Sequence, residues 1–421
     1  MSKEHLKTSW RKLDNTAKIF SLDDIRRTNT FRCSVILKNH IDVGVLKQAV
    51  NRTLKYHPEF KVKIGVGFFW NYFEPNKKEP IIKKESDIPC QHIDFKKNND
   101  YLFKVTYYKK KINIDFFHAL TDGAGALQFL KSIIYNYLDL KNNLPFFENK
   151  TPKAIKYQDF YLKKYDKSLK EEKSFNEAYL LPKKINKNIN NTYHYIININ
   201  DIKKVCKNYK VTITEYLTAT HIYAIYQTLY QKDQNKEIVI TVPIDLRKYY
   251  QVETFSNFFV CTEINSKILE KNLTSFEEVL VEVHKDFQEK VQEDKIKKYL
   301  ARDVRLGTNL PIRLVPLFIK KLFIKYAGSF ITKSSTSTVS NVGIVNIEEK
   351  YQKYIDNILV LVLPGKFQKV KCTICSYNKK LNVTMNSNID DIEFEQAFFK
   401  LLKKDIKNIK VKSNNYIHFV E

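Results

Sequence analysis

At 421 residues the chain exceeds one ordinary domain, and two domains of about 200 residues are expected. Hydrophobic residues make up 43% and aromatic residues 13%, enough for large cores, which excludes a disordered chain. The net charge of +26 invites a nucleic-acid reading, but it comes from 63 Lys and only nine Arg, and base-edge and bidentate phosphate recognition favour Arg. With no helix-turn-helix, RNA-recognition or zinc-finger pattern, the lysines read as a solvated surface and nucleic acid is not an expected partner.

The N-terminal stretch MSKEHLKTSWRKLDN lacks the apolar core of a secretion signal, and no run of roughly 18 apolar residues occurs anywhere. A cytoplasmic protein is therefore expected. TFRCSVILK (30–38) has the β-branched and aromatic content of a strand. In the following segment Val45, Leu46, Ala49, Val50 and Leu54 fall at helical spacing, and Pro58 marks the end. FKVKIGVGFFWNYFEP reads as one or two strands, and YLFKVTYYKKKINIDFFH as a hairpin whose second strand ends at His118.

A polar Lys/Asn-rich stretch, 163–191, breaks the apolar pattern and suggests a boundary: a first domain over 1–165, a linker over 166–190 and a second domain over 191–421. TYHYIININ restarts the strands. Thr212 and Glu215 have capping-box spacing ahead of a long helix. EIVITVPIDLR reads as a buried strand, SFEEVLVEVHKDFQEKVQ as a helix, and STSTVSNVGIVNI and DNILVLVLPG as strands. The segment RLVPLFIKKLFIKYAGSF (313–330) is both basic and apolar. It reads as a packed helix with Lys320, Lys321 and Lys325 on its wet side, with peripheral membrane contact as the alternative. The expected fold class is α/β, two layered units with a site in the crevice between them.

Cys33, Cys90, Cys206, Cys261, Cys372 and Cys375 are scattered. Cys372 and Cys375 form a C-x-x-C, but residues three apart on a strand point to opposite faces, and no second pair or nearby His completes a zinc set. No metal site is expected.

The chemistry concentrates in FFHALTDGAGALQFL (116–130). Ile112, Ile114, Phe116 and His118 share one strand face. Asp122 stands where a helix N-cap belongs, ahead of a stripe of Leu127, Leu130, Ile134 and Tyr137. Gly123 and Gly125 leave room for a close approach. Two readings follow from the residues alone: a core histidine beside a helix cap, or an imidazole general base whose pKa lies near the working pH.

HALTDG (118–123) resembles the H-x-x-x-D-G signature of the chloramphenicol acetyltransferase-like superfamily, which holds thioester-dependent acyltransferases and the condensation domains of peptide synthetases. WRKLDNTAKIF (10–20), FFWNYFEPN (68–76), VPIDLRKYY (242–250), TFSNFF (254–259) and TVSNVG (338–343) resemble, in order, the blocks of bacterial alcohol acetyltransferase-type proteins. The resemblance implies two similar subdomains, each a mixed β-sheet flanked by helices, with a tunnel between them. It implies His118 as the base that deprotonates an alcohol or amine acceptor, and acyl-CoA as a co-substrate, with no bound cofactor. Asp122 would act structurally in an ion pair, with Arg247 as the candidate partner. Gly123 completes the motif. Ser340, Asn341 and, more weakly, Asn257 are candidate oxyanion or substrate-lining residues; Asp14 and Asn15 match a block without a chemical role. Phe117 stands where condensation domains carry a further histidine, the D-F-G-W-G block of plant acyltransferases is missing, and no carrier or adenylation domain adjoins. These departures favour a stand-alone acyltransferase with no obligate protein partner. A carrier-protein-dependent condensation enzyme and a non-catalytic basic binding protein with the same fold are the alternatives.

Overall fold

The computed structural model describes residues 10–22, 29–86, 88–145, 158–170, 177–181, 190–231, 235–322 and 333–414. Three sheets organise them. A small sheet joins β1 (Arg11–Lys12) to the hairpin β3 (Val62–Val66) and β4 (Asn71–Pro75). A five-stranded sheet takes β2 (Thr30–Leu37), β5 (Ile82–Lys84), β6 (Phe103–Tyr108), β7 (Lys111–Phe117) and β12 (Ile355–Val362), in the order β12-β2-β7-β6-β5. All its pairings are antiparallel except β5 with β6.

The largest sheet has seven strands. It contains β8 (Asn191–Asn198), β9 (Val239–Asp245), β10 (Phe259–Asn265), β11 (Ser337–Ile344), β13 (Val370–Tyr377), β14 (Lys380–Ser387) and β15 (Ile409–Ser413), in the order β10-β9-β11-β13-β14-β8-β15. β11 runs parallel to both neighbours and the remaining pairs are antiparallel. Both large sheets are thus mixed, and each carries helices. The helix Val43–Tyr56 packs on Gly123–Asn142 in the first lobe; Ile213–Thr228 packs against Phe276–Lys290 and Glu393–Asp405 in the second. Capping boxes start two of these helices, Thr212 with Glu215 and Ser275 with Glu278.

The expected division of the chain needs a correction. β12 lies in the range assigned to the second domain, yet it pairs with β2 along its whole length. Its side chains Ile358 and Val360 join the first core, and β12 forms one edge of the five-stranded sheet. Conversely, Tyr161 packs with Leu246, Phe258 and Val260 of the second half. β12 thus ties the two halves of the chain together, and the five-stranded sheet draws strands from both.

β2 is covered on both faces, which requires its polar residues to be paired. Arg32 donates to both carboxylate oxygens of Asp115 at 2.6 and 2.8 Å and also pairs with Glu85. On β13, Cys372 enters the second core and Cys375 the first, so these thiols face opposite sides of the sheet. The basic apolar segment departs from expectation. Lys320 is buried, donates to Phe69 O at 2.8 Å and lies over the Trp70 ring at 3.7 Å, because the Phe68–Phe69 turn covers it. Leu314, Phe318 and Leu322 are the exposed side chains there, and Lys321 is exposed, whereas Lys325 lies outside the described residues. Among the described residues no helix is long and apolar enough to cross a membrane.

Candidate active site

β7 ends at Phe117, and the next five residues turn the chain into the helix Gly123–Asn142. His118 keeps its backbone anchored by donating N–H to Asn29 O at 2.7 Å, while Leu120 N donates to Phe117 O. Thr121 Oγ1 donates to Phe255 O at 2.6 Å, fastening the corner to a loop of the second half. Gly125 is required at this junction: a Cβ there would stand 2.2 Å from Thr121 Oγ1 and 2.4 Å from Phe255 O.

Asp122 caps the helix by accepting from Gly125 N at 3.0 Å. Its carboxylate also accepts both Nη groups of Arg247 at 2.9 Å and the N–H of Phe258 at 2.9 Å. Arg247 is held in turn by Asp245 Oδ1, Thr254 O and Ser256 O. The Asp122 and Arg247 side chains are 7% and 13% exposed, so this is a nearly buried, fully hydrogen-bonded ion pair joining the lobes. Asp122 faces this scaffold.

The His118 imidazole is half-buried, stacked on Phe20 at 4.2 Å between ring centres and flanked by Phe31 at 5.0 Å and Phe259 at 5.7 Å. Nδ1 lies 3.1 Å from Asn257 Oδ1, and Asn257 Nδ2 donates to His118 O at 3.0 Å. With its nitrogen committed to that carbonyl, the amide offers only its oxygen to the ring. Nδ1 therefore carries the proton and Nε2 keeps its lone pair. Burial holds the imidazole below its usual pKa, opposed chiefly by the nearby Asp122 charge.

A cavity of about 600 Å³ opens between the lobes on this ring. His118, Gly123 and Ala124 form one wall; Tyr249, Phe287 and Ser340 stand on the other. Ser340 makes no hydrogen bond within the described residues, so its hydroxyl is available to a ligand. Asn341 also lines the cavity, but its amide donates to Thr214 Oγ1 and accepts from Gly343 N. Asn257, expected more weakly as an oxyanion or substrate-lining residue, is not in the cavity wall. It is 2% exposed and both ends of its amide hold His118.

Sequence reasoning missed the support behind that amide. Asp14 caps a short helix through Ala17 N at 2.7 Å and accepts Asn257 Nδ2 at 3.4 Å with its other oxygen. Burial pushes this carboxyl up to about 7, with lesser contributions from Asp159 and Asp122 opposing its hydrogen bonds. Asn15 donates to Asp303 O at 2.8 Å, joining the same block to the helix Glu293–Thr308. The LDN block was visible in the sequence, but its contacts span more than 240 residues. The aromatic cage left no signal, since Phe20, Phe31 and Phe259 come from three unrelated elements.

No protein-family model matches the chain, and no curated protein matches it in sequence. Solved structures do match over nearly its whole length. TRI101 from F. graminearum, solved with coenzyme A and T-2 mycotoxin, superposes with a TM-score of 0.64 at 10% identity, covering 96% of this chain and 99% of that one. The trichothecene 15-O-acetyltransferase TRI3 from Fusarium sporotrichioides gives 0.61 at 10%, covering 94% of each chain. The epimerization domain of the third module of tyrocidine synthetase B gives 0.62 at 10%, covering 96% and 98%. The chain therefore shares its fold with TRI101, TRI3 and this epimerization domain.

Proposed function

We propose that the protein is an acyltransferase that moves an acyl group from an acyl-CoA thioester to the hydroxyl of a small-molecule alcohol, in the cytoplasm, with His118 as general base. The observation that carries this reading is the setting of the His118 ring: Nδ1 lies 3.1 Å from Asn257 Oδ1, which supports a proton on Nδ1 and a free Nε2, and the ring lines the interlobe cavity. The coenzyme A and T-2 complexes of TRI101 and the acetyltransferase activity named for TRI3 support the choice of donor and acceptor class.

In this reading the acceptor oxygen attacks the thioester carbonyl as its proton passes to Nε2. The tetrahedral intermediate carries an oxyanion, to which the Ser340 hydroxyl is the donor. Collapse breaks the C–S bond, and the thiolate takes the proton back from the imidazolium, leaving an ester and free coenzyme A. A depressed imidazole pKa keeps the base unprotonated at neutral pH, and the proton returns readily to the departing sulfur. The Asp122–Arg247 pair, at the edge of the cavity, keeps the corner in place.

Purified protein should release free thiol from acetyl- or longer acyl-CoA in the presence of alcohols. Thiol release with carrier-protein thioesters alone would move the reading to a condensation-type enzyme. No release from either donor over a broad acceptor panel would leave a binding protein that keeps the fold.

A further inference from the structure

β13 presents alternate residues to the two lobes. Val370, Cys372 and Ile374 enter the second core. Thr373 and Cys375 turn towards β12, where Thr373 Oγ1 donates to Val360 O at 2.7 Å and Cys375 Sγ to Ile358 O at 3.3 Å. Two residues back along β13 thus correspond to two residues forward along β12, which sets Lys371 opposite Val362. Val362 pairs with Phe31, and the Phe31 ring lies 5.0 Å from His118. The Lys371 charge accordingly reaches the imidazole, where it opposes protonation.

Lys371 is half-buried, and it is not part of the cavity wall described above. Among the described residues no carboxylate pairs with its ammonium and no side-chain hydrogen bond engages it. Its cross-strand neighbour on the same face is Asn386, fully buried, whose Oδ1 accepts from Thr192 Oγ1 and whose Nδ2 has no partner. Two adjacent donors, one of them charged, therefore face the lobe interface without an acceptor. Leaving such groups unmatched is costly, and a ligand anion removes the mismatch.

We propose that Lys371 anchors a carboxylate on the substrate that reacts at His118, so that the protein acylates hydroxy acids or transfers acyl chains ending in a carboxylate. This rests on the acyltransferase reading above. Burial pushes the Lys371 ammonium down to about 8, so it stays largely charged at neutral pH and loses its charge above that value.

The test compares kcat/KM for matched pairs in wild type, Lys371→Met and Lys371→Arg. One arm pairs a hydroxy acid with its methyl ester, both with acetyl-CoA. The other pairs succinyl-CoA with butyryl-CoA, both with a neutral alcohol. In one arm wild type should favour the carboxylate by at least about tenfold, the worth of a charge-assisted hydrogen bond, mainly through KM. Lys371→Met should abolish that ratio, Lys371→Arg should keep much of it, and the wild-type ratio should fade above pH 8. The arm that responds identifies which reactant carries the anion. Turnover of the neutral substrates with no carboxylate preference in either arm, or with a preference unchanged in Lys371→Met, overturns the assignment and leaves the acyltransferase reading intact. No thiol release in any arm removes that reading, and the assignment with it.

Discussion

His118 and His221 both sit among aromatic rings, in different regions of the molecule, and His118 is the one of the two that lines a cavity. His221 lies in the helix Ile213–Thr228 at 0% exposure, with its ring edge-on to Phe394 at 5.2 Å. Nε2 is bonded to Ser337 Oγ at 2.8 Å and Nδ1 has no partner at all. Burial alone pushes its pKa down to about 3. His118 is also held below the usual imidazole value, but it opens on the interlobe cavity and its Nδ1 is committed to a fixed acceptor. Burial favours the neutral form of both rings; the cavity and the Asn257 contact are what set His118 apart as the base in the proposed reaction.

The sharpest break in that comparison comes from removing each ring. His118→Ala should lower thiol release by about 10²–10⁴-fold and keep the cooperative unfolding of wild type, as expected for loss of a general base. His221→Ala should instead lower thermal stability, by about 2–4 kcal/mol for a large side chain lost from a sealed core, with most of the turnover of the folded fraction retained. Equal rate losses in the two variants would end the distinction.

Next in size is the ion pair behind His118. Asp122→Ala takes the bidentate partner from the nearly buried Arg247, leaving it Asp245, and removes the helix cap; it should cost about 3 kcal/mol in denaturant unfolding, with activity falling as the corner loosens. Asn257→Leu leaves the chain's fold but frees the His118 tautomer. It should lower kcat by roughly tenfold to a hundredfold, in line with about 1–3 kcal/mol for a buried hydrogen bond, with little change in KM.

The smallest effects are those of pH. Both imidazoles have folded pKa values below 6.5, so the unfolded chain binds protons there that the folded chain refuses. Stability contributed by their neutral forms is complete above about pH 6.5 and declines as pH falls towards 3. His221→Gln should flatten that decline in thermal melts. The acid limb of kcat/KM should follow His118 instead, lying below 6.5 and unmoved by His221→Gln.

Much of the second lobe was legible because its signals are local. The capping boxes at Thr212 and Ser275 start helices at the expected points, and β9, β11 and β12 follow apolar runs. The helix Ile199–Tyr209 escaped notice because it follows β8 without a break, with Asn198 ending the strand and capping the helix. Lys320 was misplaced because helical periodicity does not reveal a neighbouring turn, here Phe68–Phe69, that covers a side chain. Asn257 looked like a cavity residue by its block, but its amide turns back to His118.

By itself the sequence determined that His118 ends a strand, that Asp122 begins a helix, and that two lobes of mixed secondary structure follow. These are properties of neighbouring residues: alternation along β7, a capping carboxylate, glycines where backbones meet. Tertiary structure alone decided that His118 Nδ1 meets the Asn257 amide, that β12 crosses into the first sheet, and that Lys371 comes near the imidazole with no counter-ion among the described residues. Each of those depends on residues more than 100 positions apart, and hydrogen-bond partners and electrostatic fields are set by distance in space rather than along the chain.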